Sequence, residues 1–231
     1  MDLPPLVPGT FGKRDNRFRA TVTVAGHQTS AHVPNSGRLG ELFTPGRNIW
    51  LSPAGDPTRK TAYDLRLVDY AGTLVSVDAR LPNHLLAEAL AEQRLPELAY
   101  PEVRREATLG NSRLDFRLSG PEEICWLETK SVTLVTNGLA QFPDAPTVRG
   151  RKHLVELIGA RKEGDRAVVI FIIQRPDALE FRPHVEADPL FASTLGEAAA
   201  AGVDIRAFSC DVSLGSISLA GEIPVLLGST S

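Results

Sequence analysis

The chain has 231 residues, 42% hydrophobic and 23% charged, with a net charge of −3. That length fits one large domain or two small ones, and that composition excludes wholesale disorder. No stretch reaches the ~20 apolar residues of a membrane span, the opening Met1-Asp2-Leu3-Pro4-Pro5 lacks a leader pattern, and the only cysteines, Cys125 and Cys210, exclude a disulfide scaffold and a Cys/His zinc cage. These features predict a cytoplasmic protein with no membrane partner. Residues 1–80 hold 10 Lys+Arg against 7 Asp+Glu, whereas residues 81–231 hold 15 against 21. Such asymmetry fits a front that touches phosphates and a rear that gathers carboxylates around a cation; it equally fits chance drift of solvated charge.

The first eighty residues predict short strands separated by turns. Residues 17–24 alternate, with Phe18, Ala20, Val22 and Val24 on one face and Arg17, Arg19, Thr21 and Thr23 on the other. Gly26 breaks the pattern and residues 28–33 resume it. Pro34-Asn35-Ser36-Gly37 is a turn cluster, and residues 39–43 read as a short helical piece. Residues 48–52, 62–69 and 73–78 complete the set, the last two joined by an Ala71-Gly72 hairpin. Four or five short strands at this spacing predict a small β-barrel.

Beyond Leu81-Pro82-Asn83 the rhythm changes to the ~3.6-residue period of a helix. Asn83 is a candidate cap for a helix through Leu85, Leu86, Ala89 and Leu90. Strands are predicted over 102–109, 113–118 and 123–135, then a helix over 149–161 with Leu154, Leu157 and Ile158 in one stripe. A continuous apolar strand over 167–174 follows, then a helix over 188–201 and a strand over 203–209. This order predicts an α/β domain with a mixed sheet behind an all-β domain. The domains are expected at 1–81 and 82–231, with the boundary between 78 and 84.

Strand periodicity singles out three polar residues. Leu114, Phe116 and Leu118 share one face, leaving Asp115 on the other, and Glu128 and Lys130 share a face because they are two apart. Their strand is otherwise apolar, so both charges are costly to bury unless paired or bound to metal. Two carboxylates and a lysine on a rigid sheet suit phosphodiester hydrolysis assisted by Mg²⁺ or Mn²⁺, with Asp115 and Glu128 as ligands. Lys130 then orients the attacking water or neutralises charge on phosphorus. Asp followed about a dozen residues later by Glu-x-Lys is the pattern of PD-(D/E)xK nucleases. Arg outnumbers Lys 20 to 5, so a lysine here points to ammonium chemistry. The bland reading is a structural ion pair between Glu128 and Lys130.

Several longer segments resemble the sugar fermentation stimulation protein A (SfsA) family. They are Gly12-Lys13-Arg14-Asp15-Asn16-Arg17-Phe18, Ala31-His32-Val33-Pro34-Asn35-Ser36-Gly37-Arg38-Leu39, Leu81-Pro82-Asn83, Ser112-Arg113-Leu114-Asp115-Phe116, Glu128-Thr129-Lys130-Ser131-Val132-Thr133-Leu134, and Phe142-Pro143-Asp144-Ala145 with Arg149-Gly150-Arg151-Lys152-His153-Leu154. The resemblance runs over about residues 9–225. It implies an OB-like N-terminal barrel, a PD-(D/E)xK nuclease-like C-terminal domain, DNA binding without marked sequence preference, and a link to sugar (maltose) metabolism. Asp115, Glu128 and Lys130 match the three nuclease positions. Thr129 stands where valine is more usual, and Gly12 where a bulkier residue is.

Other candidates are weaker. Glu88 on the helix and Glu106 on the first strand each read as a further metal ligand or as a solvated charge. Lys13, Arg14, Arg17 and Arg19, with Phe11 and Phe18 interleaved, resemble the phosphate-and-stacking surface of an OB-fold, although alternation turns Phe18 into the barrel. Arg38 follows a turn open to a phosphate. Arg149, Lys152 and His153 open a helix whose N-terminus attracts phosphate oxygens. Asp144 reads as part of a shaped loop or as a cap. Two functions fit: a metal-dependent nuclease acting on DNA, with RNA and single strands left open, or a non-catalytic DNA-binding regulatory protein on a nuclease scaffold. The oligomeric state stays open, a homodimer included.

Overall fold

The structure, a computed structural model, describes residues 1–56 and 58–228. Strands β1 (Val7–Asn16), β2 (Arg19–Val24), β3 (His27–His32), β4 (Asn48–Pro53), β5 (Tyr63–Tyr70) and β6 (Thr73–Ser76) form one sheet in the order β3-β2-β1-β4-β5-β6. A parallel pairing of β3 with β5 closes the first five into a barrel. Inward residues Ala20, Val22, Ala31, Ile49, Leu51, Leu65 and Val75 are fully buried. The loops Ala25-Gly26 and Ala71-Gly72 have positive φ at both residues, the twist that two-residue hairpins require.

The sequence pattern does not reveal β1. Two register shifts against β2 interrupt its period-2 pattern. Gly9 and Gly12 lie where an added Cβ would meet the carbonyl oxygens of Thr23 and Thr21 at 2.8 Å, so glycine permits the close crossing. This bulged strand exchanges the expected roles of two aromatics. Phe11 is buried and stacked on Phe43 at 4.8 Å between centroids, while Phe18 lies in the β1–β2 turn, 49% exposed. Residues 39–43 form a single turn with Leu39 at φ 52°, not a helix.

The second unit contains α1 (Leu81–Ala91), a 3-10 turn (Pro96–Leu98), β7 (Glu102–Leu109), β8 (Ser112–Ser119), β9 (Ile124–Val132), β10 (Val135–Thr136), β11 (Leu139–Phe142), α2 (Val148–Lys162), β12 (Arg166–Ile173), β13 (Glu180–Pro183), α3 (Pro189–Ala200), β14 (Asp204–Val212) and β15 (Ile217–Ile223). Its main sheet runs β15-β14-β12-β9-β8-β7, with β12 parallel to β9 and β14 and the remaining pairs antiparallel. A small sheet, β10-β11-β13, lies beside it. Side chains of β12 alternate between two cores: Val169, Phe171 and Ile173 pack towards α2 and α3, and Val168, Ile170 and Ile172 towards α1. Sequence periodicity finds β12 and its helices but not the short β10, β11 and β13 or the terminal β15.

Residues 1–3 do not belong with the barrel, as the expected 1–81 division has them. Leu3 donates its N–H to the Gly215 carbonyl at 2.8 Å, Asp2 bridges Ser216, and Met1 and Leu3 pack on the α1-side core. The two units meet at polar seams. Ser76 bonds Gln174 through backbone N–H (2.9 Å) and hydroxyl (2.9 Å). Arg175, 1% exposed, lies over the Tyr70 ring at 4.9 Å. Among the described residues, no helix is long and apolar enough to cross a membrane.

Candidate active site between the domains

The β8–β9 ladder pairs Ser119 with Ile124 through Phe116 with Leu127. The ladder ends there, and Leu114 packs in the α2-side core while Phe116 and Leu118 pack in the α1-side core, so the expected alternation of β8 breaks at Asp115. The Asp115 Oδ2 accepts the Thr129 N–H (2.8 Å) and hydroxyl (2.6 Å), and its Oδ1 accepts from Asn83 Nδ2 at 2.7 Å. Burial first, then the Glu128 charge, push this carboxyl above its ordinary range despite those bonds.

Glu128 is 4% exposed on the α2 side of the central strand. Its Oε1 accepts from Lys130 Nζ at 2.7 Å and from His153 Nδ1. Burial raises its carboxyl, but Lys130 and His153 outweigh burial and hold it below the ordinary range. Its Oε2 is buried and has no hydrogen-bond partner. Leaving a buried carboxylate oxygen unpaired costs on the order of 1–3 kcal/mol. A hard cation is the natural partner for such an atom.

Glu128 and Lys130 therefore meet on the α2 side, whereas Asp115 is held by Asn83 and Thr129, residues with other expected roles. Asn83 does not cap α1; the N-cap is Arg80, and Asn83 lies inside the first turn facing Asp115. Thr129, the spacer of Glu-x-Lys, supplies both an amide and a hydroxyl to Asp115. His153 is 4% exposed and is spent on Glu128, with Nε2 facing Arg149 Nε at 3.3 Å. That network places its proton on Nδ1 and removes it from direct contact with phosphate. A polar residue one turn into a helix, and a histidine at the fourth position after Arg149, were the available sequence signals.

The remaining candidates fall elsewhere. Glu88 accepts from the Met1 amino group at 3.1 Å and pairs with Arg94. Glu106 is exposed on β7, at φ 54°, paired with Arg113. Among the described residues, no three His, Cys, Asp or Glu side chains enclose an ion. Arg14 is consumed by four backbone carbonyls, those of Gly37, Arg38, Arg17 and Asn35. Lys13 and Arg19 flank Asp15 at 4.0 and 3.3 Å. Lys152 donates to the Asn111 carbonyl at 2.7 Å. Arg17, Arg38 and Arg149 remain exposed.

A cleft of about 480 Å³ lies between the two units. The barrel contributes Arg17 and the 35–37 turn; the second unit contributes Lys130, Ser131, Thr147 and Arg149. Asp144 ties its walls together, its Oδ2 accepting the N–H groups of Arg38 (2.6 Å) and Leu39 (3.2 Å). Asp144 is thus a cap, but for a turn of the other domain.

A family model described as the SfsA N-terminal OB domain matches residues 13–77, and one described as the sugar fermentation stimulation protein RE domain matches residues 80–216. A sugar fermentation stimulation protein homolog from Desulforamulus reducens is 49% identical over 226 residues, covering 97% of this chain and 94% of the relative. A homolog of the same description from Moorella thermoacetica is 46% identical over 233 residues, covering 98% of this chain and 100% of the relative. The solved structure of Pyrococcus furiosus SfsA in complex with Ca²⁺ matches with a TM-score of 0.90 at 35% identity, covering 98% of each chain. With both domains matched in order and relatives aligned over almost the whole length, the chain belongs to the sugar fermentation stimulation protein (SfsA) family.

Proposed function

We propose that the protein is a cytoplasmic, divalent-metal-dependent nuclease that binds DNA and cleaves phosphodiester bonds with little sequence preference. The observation that carries this reading is the unpartnered, buried Oε2 of Glu128, whose other oxygen is bonded to Lys130. Asp115 and Glu128 are the residues that would hold Mg²⁺ or Mn²⁺, hard cations that favour carboxylate oxygens. Such an ion supplies Lewis-acid polarisation of the scissile phosphate. The Pyrococcus furiosus protein, solved in complex with Ca²⁺, lends support from a relative.

The chain's own residues have definite tasks. His153 and Lys130 fix one oxygen of Glu128, so its other oxygen has a set direction. Lys130 spends one of its three N–H donors on Glu128 and has two more for a phosphate oxygen. Lys130 lines the cleft, and its ammonium would stabilise charge that grows on phosphorus in the transition state. Asn83 and Thr129 hold Asp115 in place.

One observation favours the second reading, a non-catalytic DNA-binding regulator linked to sugar metabolism. Both Asp115 oxygens are already hydrogen-bonded, as in a carboxylate used to brace strands. Incubation of DNA with protein and Mg²⁺, Mn²⁺ or chelator separates the two. The nuclease reading expects metal-dependent cleavage that falls ~10²–10³-fold in Lys130→Ala, the usual loss when one transition-state donor is removed. Binding without cleavage under every condition supports the regulator.

A further inference from the structure

Phe18 occupies the tip of the β1–β2 hairpin and is 49% exposed, although the neighbouring strand residues Ala20 and Val22 are fully buried. The ring stands on a fixed backbone. Its carbonyl accepts the Val33 N–H at 2.9 Å and faces His32 Nδ1 at 3.0 Å; its N–H donates to Asn16 Oδ1 at 3.0 Å. Arg14 holds the preceding Arg17 carbonyl at 2.6 Å. The His32 ring lies 6.4 Å away, tilted by 31°, and leaves much of Phe18 open to solvent.

The surroundings are cationic and lead to the cleft. Lys13 and Arg19 are exposed and share the single carboxylate of Asp15. Arg17, next in the chain, has no side-chain partner among the described residues and lines the cleft that contains Lys130 and Arg149. An aromatic face with cations on both sides is how a protein holds a polynucleotide strand: bases stack on the ring and the phosphates follow the charge. Inside a duplex both faces of a base are covered by its neighbours, so only an unpaired or terminal base reaches such a ring. The cleft volume is that of a small-ligand pocket, a size that admits a short piece of one strand.

We propose that Phe18 is a base-stacking residue that receives an unpaired polynucleotide strand and, with Arg17, leads it into the interdomain cleft at Lys130. The substrate class is single-stranded nucleic acid or a single-stranded end. This inference rests on the nucleic-acid reading above.

The test is fluorescence anisotropy in chelator with labelled twelve-residue oligothymidylate, oligouridylate and a blunt duplex. Phe18→Ala should weaken binding of at least one single strand by about 5- to 150-fold, the range of one aromatic stacking contact, while Phe18→Trp retains it. The sugar of the responding strand identifies it as DNA or RNA, and either supports the proposal. Duplex affinity should be lower than single-strand affinity and should not change in Phe18→Ala. An unchanged melting temperature establishes that Phe18→Ala is folded. Equal binding of single and double strands, no effect of Phe18→Ala on either strand, or an effect only on self-association by light scattering would each overturn it. Cleavage with Mg²⁺ or Mn²⁺ is scored separately. Phe18-dependent binding without cleavage removes the nuclease reading and leaves this one standing; cleavage indifferent to Phe18 does the reverse.

Discussion

Replacing Arg14 by alanine separates a phosphate contact from a structural clamp, because the two roles predict opposite patterns of loss. The guanidinium donates to the carbonyls of Gly37 (2.5 Å), Arg17 (2.6 Å), Asn35 (2.8 Å) and Arg38 (2.8 Å), and lies over the Phe43 ring at 5.3 Å. The bonds to Arg17 and Arg38 are exposed, so water replaces them at little cost. Those to Gly37 and Asn35 are partly buried, and a hydrogen bond from a charged donor is worth about 1.5 kcal/mol at the low end. The aromatic contact adds ~0.5 kcal/mol, and the buried, unpartnered Nε already forfeits part of the gain. The expected loss is about 3 kcal/mol, a fall in Tm of roughly 6–12 °C for a protein of this size. Arg14→Lys should recover only part, since an ammonium has three donors and no fork. Calorimetry measures stability, and DNA titration of the folded protein below its transition measures affinity. Native-like melting accompanied by a loss of affinity as large as that of Arg17→Ala would refute the clamp and restore Arg14 to the phosphate surface.

Other perturbations follow from the same geometry. Asp115→Asn should raise metal-free stability near neutral pH, because it removes a buried charge that the fold disfavours, and abolish any Mg²⁺-induced rise in Tm. A carboxyl raised above its reference of 3.8 binds its proton more tightly when folded. It therefore lowers stability as pH rises through the unfolded and then the folded pKa, and the penalty persists above both; melts across pH should show the Asn advantage vanish below that window. Asp144→Ala should cost ~1 kcal/mol, chiefly by leaving the part-buried Leu39 N–H without its acceptor while water replaces the exposed bond to Arg38, with faster proteolysis of the 36–40 turn as a second readout. Phe171→Ala should cost ~3–5 kcal/mol in urea unfolding, because its fully buried ring stacks on Phe181 at 4.1 Å and meets Phe191 edge-on at 6.4 Å.

Sequence alone determined the parts of this protein that depend on local period. The alternation in β2, the apolar run of β12, the stripe of α2 and the Ala71-Gly72 hairpin each encode their own backbone, because a side chain's face is set by its neighbours two to four residues away. The same rule put Glu128 and Lys130 on one face, which is why the core of the site was legible before any fold was known. Tertiary structure decided everything that depends on distant partners. Bulges and two glycines hide β1 from any period-2 reading, and with it the exchange of Phe11 and Phe18 between core and surface. Asn83 and His153 reach the site from helices 32 and 25 residues from Asp115 and Glu128, respectively. Asp144 closes the cleft across a separation of 106 residues. Arg14 reads as a free cation until the turns that surround it are folded. A guanidinium in sequence carries only its charge; the fold supplied the four carbonyls that fix it in place.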